Sequence, residues 1–491
     1  MPIAELSDGR TIEFVHSDSP PEGGMKKVYF STDRKHALCF FKDENAGNDA
    51  NRISRLESII GRFNPTITRA DGGAAPSQQS ADYFKNLFCW PTAIIVKPQF
   101  GILTPIYQSN FFFSKGRFKG KDKQGLWFSS PKLRKLIPPE EVGDWLGHLS
   151  LCTRMARGVA KMHMTGLAHS DLSANNVLVD PSSGSCAVID IDSLVVPGRF
   201  PPDVLGTPGY IAPEVLSSLH LSPDDPQRVL PCNWTDLHAL AVLIYEYLLK
   251  RHPLRGPKVN SATSSEDDEH LSMGSKAVFI EHPTDHSNRP GKKAKDPSWR
   301  GELEVTINDL GPYLSKCFKE TFVAGLHVPR LRVVASTWVD SLCKTQDLIM
   351  RCENSACSER WYVYNEGRHV GCPWCGNKPR RETPILDLHY APRPGQFRPQ
   401  NHSVVAWDKR TLHEWHVYSN KRMDENSDPT GLADVQFYNG QWILINRELD
   451  SMVSPSGNPV PKGQAVVLKE GDEILLSKSE KGRLISVRMI K

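Results

Sequence analysis

Several things are missing from this sequence. No apolar run approaches the length of a membrane span: the best stretch, Leu237–Leu249, carries His238 and Glu246. The N-terminus has no basic segment leading into an apolar core, so no signal peptide is expected. Charge of one sign is not in excess. Sixty Lys and Arg against 56 Asp and Glu leave +4, which argues against a general nucleic-acid binder. There is no fixed-period repeat. A disulfide framework is also absent. Seven of the 11 cysteines are scattered and four cluster between Cys352 and Cys375, a pattern suited to a reducing, cytoplasmic setting with one metal site. What remains is an ordinary globular composition, 39% apolar and 24% charged, over 491 residues, enough for several domains.

Residues 1–45 read as strands, with apolar runs at Val28–Phe30 and Ala37–Phe41. Helical spacing follows over Asn51–Ile60, then a loop over 71–80 and strands near 93–96 and 100–106. The basic stretch 114–125 is expected to be an exposed loop. A long helix is predicted over 140–164 and a mostly apolar one over 235–249. Residues 258–300 read as a largely irregular insertion, and 303–343 as helical again. Residues 377–399, rich in Pro and Arg, read as a linker, and 403–490 as short strands with turn signals, including an Asn439-Gly440 hairpin turn.

Chemistry concentrates in His169-Ser-Asp-Leu-Ser-Ala-Asn-Asn176. It sets Asp171 and Asn176 five residues apart, and Asp190 follows at the end of the apolar run Ala187–Ile189. Phosphoryl transfer needs these groups: a carboxylate to take the acceptor hydroxyl proton, and an amide and a second carboxylate to hold magnesium. Further on come Gly206-Thr-Pro-Gly-Tyr-Ile-Ala-Pro-Glu214, then Thr235-Asp236 and Arg332. As a set, these segments resemble the signatures of protein kinases, over roughly residues 10–345.

The resemblance implies an α+β, bilobal kinase-like fold, with an N-lobe over about 1–106 and a C-lobe over 107–345. It implies ATP and Mg2+ as cofactors, Asp171 and Thr207 as catalytic residues, and Asn176 and Asp190 as magnesium ligands. Asp236 would brace the catalytic loop, and Arg332 would pair with Glu214. For ATP it implies Gly23, Gly24 and Val28 in an eroded glycine loop, where Pro21 and Lys26 replace the outer glycines. Lys42 would be the phosphate lysine and Glu57 its helix partner.

Departures from the family pattern carry expectations of their own. Ser170 replaces the usual Arg, so activation-loop phosphate has no guanidinium to meet. Ser173 replaces the Lys that faces the transferred phosphate. Phe40 stands where a small adenine-roofing Ala is usual, and Asp190-Ile-Asp192 lacks the hinge glycine. With Cys89-Trp-Pro91, these features are similar to a divergent bacterial branch encoded beside a von Willebrand A-domain protein and a PP2C-type phosphatase in tellurium-resistance-associated systems. That likeness implies those two proteins as partners in a signalling or stress system.

Cys352-x4-Cys357-x14-Cys372-x2-Cys375 has zinc-ribbon spacing, and four thiolates make a closed structural Zn2+ site over 350–380. A redox Cys-x-x-Cys pair is the competitor. The linker is placed at 381–399. The order of hairpin, turn and Leu468-x-x-Gly-Asp472-x-Ile resembles the end of a forkhead-associated (FHA) β-sandwich, here 400–491, whose partner would be a phosphothreonine peptide. The Ser-Arg-x-x-His frame of that family is not visible, so docking without phosphate stays open. The function expected is a Ser/Thr kinase acting on a protein substrate, with no nucleic-acid or membrane partner. Two alternatives stand beside it: a nucleotide-binding pseudokinase scaffold, and a small-molecule phosphotransferase. The Gly206–Glu214 segment speaks against the latter.

Overall fold

The computed structural model describes residues 1–68, 77–196, 202, 204–222, 224–291, 304–368 and 371–490. The chain separates into two compact units. The first comprises Met1–Gly143, Gly147–Leu303 and Cys317–Val339; the second comprises Asp144–Leu146, Glu304–Lys316 and Asp340–Lys491.

The first unit begins with six strands: β1 (Ile3–Leu6), β2 (Thr11–Val15), β3 (Lys26–Ser31), β4 (His36–Phe41), β5 (Ala93–Lys97) and β6 (Gly101–Pro105). They close into a barrel of order β1-β2-β3-β4-β6-β5. Side chains alternate between faces along each strand. Leu38, Phe40, Ala93, Ile95 and Leu103 fill the interior with Leu6 and Phe14. Their neighbours Phe41, Ile94 and Ile102 face outward and pack on Leu56 of helix α1 (Ala50–Ile60). This helix starts where the Asp49 carboxylate accepts from the backbone N–H groups of Asn51 and Arg52. Helix α2 (Gln78–Leu87), capped by Ser77, occupies residues expected in part as loop; its burial of Ala81, Phe84 and Leu87 is the helical signal that was overlooked. Part of the expected loop, residues 71–76, lies outside the described residues.

The helix expected over 140–164 is interrupted. A single turn, Pro139–Val142, ends at Gly143, and helix α3 runs Trp145–Met164. Gly143 has φ +71°, and a Cβ there would lie 2.5 Å from Pro181, so glycine is required and breaks the helix. The hairpin β7 (Val177–Asp180) and β8 (Ser185–Val188) follows, then short helix α4 (Pro213–Ser217) and helix α5 (Asn233–Leu249). Every residue of α5 from Thr235 to Leu249 is buried, which explains its all-round apolar sequence. One expectation is corrected here. Lys123, placed by sequence in an exposed basic loop, is buried between Glu141 (3.0 Å) and Asp180 (3.3 Å). Within residues 258–291 the one α-helix is α6 (Ser265–Met273), capped by Ser264; residues 292–300 lie outside the described residues.

In the second unit, helix α7 (Ala335–Asp347) ends beside the hairpin β9 (Ile349–Arg351) and β10 (Trp361–Val363). The linker expected at 381–399 is a sheet. Strands β11 (Thr383–Arg393) and β12 (Gln396–Val405) form a long hairpin, because Leu386, Leu388 and Val404 supply an inward-facing apolar row. With β17 (Glu473–Leu475) and β18 (Leu484–Ile490) they make one four-stranded antiparallel sheet. The other contains β13 (Thr411–Leu412), β14 (Ala433–Tyr438), β15 (Gln441–Asn446) and β16 (Ala465–Val467). Both sheets contribute to one core. The turn between β14 and β15 is Asn439-Gly440, both residues at positive φ, as a tight hairpin demands. Residues 350–380, 381–399 and 400–490 therefore share a single unit, which also takes in Glu304–Lys316.

Candidate active site

The segment after α3 is fixed by Asp236 of α5. Its carboxylate accepts from the backbone N–H groups of His169 (2.7 Å) and Ser170 (3.1 Å), and His163 Nε2 lies 3.1 Å away. His169 Nε2 in turn meets the carbonyl of Ile189 at 3.0 Å, tying the loop to the segment that carries Asp190. Ser170 and Asp190 both hold left-handed backbone, at φ 64° and 61°. For non-glycine residues that conformation persists only where surrounding bonds impose it.

Asp171 lies at the centre of a short hydrogen-bonded chain. Thr207 Oγ1 donates to its Oδ1 at 2.7 Å, and Asn176 Nδ2 donates to its Oδ2 at 2.9 Å and to its carbonyl at 2.8 Å. Ser173 Oγ stands 3.2 Å from Thr207 Oγ1. The amide nitrogen of Asn176 is thus engaged, and its carbonyl oxygen is the atom left for a cation. Gly206 makes room for this contact. Its φ is +115°, and a Cβ there would press on Ile211 and on the Ser170 carbonyl. Below the site, the buried Arg332 guanidinium clasps the Glu214 carboxylate with two bonds of 2.7 Å and caps the Trp234 carbonyl at 2.9 Å.

Asp190 lies two residues beyond β8. Its carboxylate receives Lys26 Nζ at 2.8 Å, and the same ammonium reaches Asp192 at 2.6 Å. Burial alone would lower the Lys26 ammonium, but Asp192 and Asp190 outweigh it and hold it well above the usual lysine range. Burial would raise the Asp190 carboxyl, and the adjacent Lys26 brings it below the usual carboxylate range. Asp190 and the Asn176 carbonyl oxygen are hard oxygen donors, the kind magnesium takes.

The expected Lys42–Glu57 pair does not form. Lys42 follows the last residue of β4, pairs with Glu22 at 3.2 Å and is largely exposed. Glu57 is exposed on α1 and lines a separate groove with Ile53, Val96 and Phe100. Counting fourteen residues from Val28 to Lys42 ignored side-chain parity. Lys42 follows Phe41, which faces outward, whereas Lys26 lies directly opposite Phe41 on β3. Gly23 and Gly24 sit in the turn leading into β3, where the Gly23 N–H meets the Lys26 carbonyl. Val28 is half-buried on β3 beside Cys39. Sequence reasoning met Lys26, Ser173 and Asp192 only as departures from the family pattern and did not foresee their contacts with Asp190 and Thr207. The signal for Lys26 was its alternation with Val28.

Residues 139–361, less than half of the chain, match the family model for the protein kinase domain. That stretch is similar to protein kinase domains. Among curated proteins, it is 31% identical over 140 residues to the anti-Muellerian hormone type-2 receptor of Oryctolagus cuniculus, covering 24% of each chain. It is 29% identical over 143 residues to the probable serine/threonine-protein kinase RTK1 of Saccharomyces cerevisiae, covering 28% of this chain and 19% of that one. The matches span about a quarter or less of these relatives' length. A solved Toxoplasma gondii rhoptry antigen kinase domain aligns at 17% identity and a TM-score of 0.34, over 55% of this chain and 76% of that one.

A second constellation lies in the other unit. The sulfurs of Cys352, Cys357, Cys372 and Cys375 all fall within 4.8 Å of one another, beside the β9–β10 hairpin. Among the described residues, no helix is long and apolar enough to cross a membrane.

Proposed function

We propose that this chain is a Ser/Thr protein kinase that passes the terminal phosphoryl group of ATP to protein hydroxyls. The observation that carries this reading is Asp171 held by Asn176 and Thr207, with Asp190 two residues beyond β8 on a segment tied to the same loop through His169. Asp171 accepts the proton of the incoming hydroxyl, and Thr207 and Asn176 fix the direction of its lone pairs. Asn176 and Asp190 hold magnesium, which when bound neutralises phosphate charge. Incubation of the purified chain with Mg2+ and γ-labelled ATP, followed by phosphoamino-acid analysis, is the test. Label on serine or threonine is expected. No transfer from folded protein that binds nucleotide would favour the pseudokinase scaffold, a reading motivated by the eroded glycine loop and Ser173.

The four cysteines hold a structural Zn2+ in this proposal. Soft thiolates this close together suit a closed tetrahedral site, and metal supplies folding energy that so small a segment lacks. One zinc per chain by elemental analysis is expected, and lost in Cys372→Ser. The two-sheet module serves docking in an FHA-like manner, to a phosphothreonine peptide or another protein. A cytoplasmic bacterial signalling role with von Willebrand A-domain and PP2C-type partners is supported by the sequence resemblance.

A further inference from the structure

The two lysines near the phosphate end of the cleft differ in what they face. Lys26 projects from β3 opposite Phe41, with its ammonium 5.9 Å from that ring and bonded to Asp190 and Asp192. Its side chain is 17% exposed, enough to be reached by a ligand. Lys42 turns toward Glu22 at the surface. No carboxylate of α1 meets either lysine. The α1 residue over Phe41 is Arg52, with its guanidinium 5.3 Å from the ring and paired to Asp43. The cleft instead brings its own second carboxylate, Asp192, two residues beyond the metal-type Asp190 and nearly buried. One ammonium between two carboxylates leaves a net negative charge, so the group can still attract a magnesium ion while its lysine meets phosphate oxygens.

We propose that Lys26 is the phosphate-anchoring lysine of this cleft. Asp192 is the positioning residue that holds it, in the place a helix-borne glutamate would otherwise take. This rests on the kinase reading above. It makes nucleotide anchoring independent of the position of α1, because both of the lysine's partners lie on the Asp190–Asp192 segment.

The test uses the full chain, with Mg·ATP affinity by calorimetry alongside steady-state phosphotransfer. Lys26→Met is expected to weaken nucleotide binding about tenfold or more, the scale of one lost charge-assisted bond, and to cut transfer further. Lys26→Arg should recover part of the affinity, and Lys42→Met should stay within about twofold of wild type on the same scale. Asp192→Asn should raise KM for ATP more than it lowers kcat, and adding it to Lys26→Met should cost nothing further, since both act through one ammonium. If Lys42→Met loses nucleotide while Lys26→Met keeps it, the assignment is overturned and the kinase reading stands. If Lys26→Met, or Lys26→Gln where the Met variant does not fold, melts earlier yet binds nucleotide normally, Lys26 is only a structural tie and the proposal fails. A wild type that binds nucleotide through Lys26 but transfers nothing overturns the kinase reading while leaving the lysine assignment in place.

Discussion

The loop around Asp171 and the barrel carry unequal amounts of familiar sequence. Around Asp171, groups from three separate segments converge: Asn176 five residues on, Thr207 beyond the β7–β8 hairpin, and Asp236 from a buried helix. In the barrel, Lys42 and Glu57 lie apart, and the ammonium at Asp190 comes from a neighbouring strand. The contrast has a physical origin. The loop residues act through side chains locked by mutual hydrogen bonds, so changing one leaves a partly buried polar group without its partner. A lysine reaches its target on a flexible four-carbon stem, so an adjacent strand can supply the same charge at the same point.

That contrast can be broken at several points. The largest effect is expected from Asp190→Ala, which removes a metal-type carboxylate and leaves Lys26 only Asp192. Phosphotransfer should fall by roughly 10³-fold or more, read as initial rate from labelled ATP. An undiminished rate would move the metal site elsewhere. Next comes Arg332→Ala, which strips the partner from a buried ion pair. It should destabilise the first unit by about 3–5 kcal/mol, measured by chemical denaturation. If stability holds, the Glu214 clasp does not support the lower half of the site.

A smaller effect is expected from pH in the second unit. Asp347 is buried with His416 (3.0 Å), His402 (2.7 Å) and Arg410. Burial lowers His416 to about 4, and its Nδ1 accepts the His413 N–H, leaving Nε2–H to donate to Asp347. Burial would raise Asp347, but His416, His402 and Arg410 hold it well below the usual carboxylate range. The unfolded chain therefore takes up protons before the folded one. Stability of this unit should drop as pH falls from about 6.5 to 4, and drop further below that. Thermal melts across this range check it, and a flat profile would contradict the assigned protonation. The smallest change is expected from Glu57→Gln. With no phosphate lysine to hold, it should alter transfer by less than about twofold, the scale of an exposed charge.

Much of this was legible in the sequence because it rests on local rules. The spacing His169–Asn176 and the strand-end Asp190 follow from one loop and one hairpin. Helix α1 showed its apolar period through Ile53, Leu56 and Ile60, of which Leu56 is buried. The failures share a cause: tertiary context decided them. The Lys42–Glu57 pairing rested on distance along the chain, and strand parity with barrel closure overrode it. Lys123 looked like loop charge until Glu141 and Asp180 buried it. Residues 383–393 looked like linker because Pro and Arg masked the alternation of Leu386 and Leu388 beneath them.

The central claim is that Asp171, held by Asn176 and Thr207, is the proton acceptor for phosphoryl transfer. Single-turnover transfer from labelled ATP by Asp171→Ala, with Mg·ATP affinity measured on the same sample, tests it most directly. The rate is predicted to fall by about 10²–10⁴-fold while nucleotide affinity stays at the wild-type value. Transfer at the wild-type rate would contradict the account.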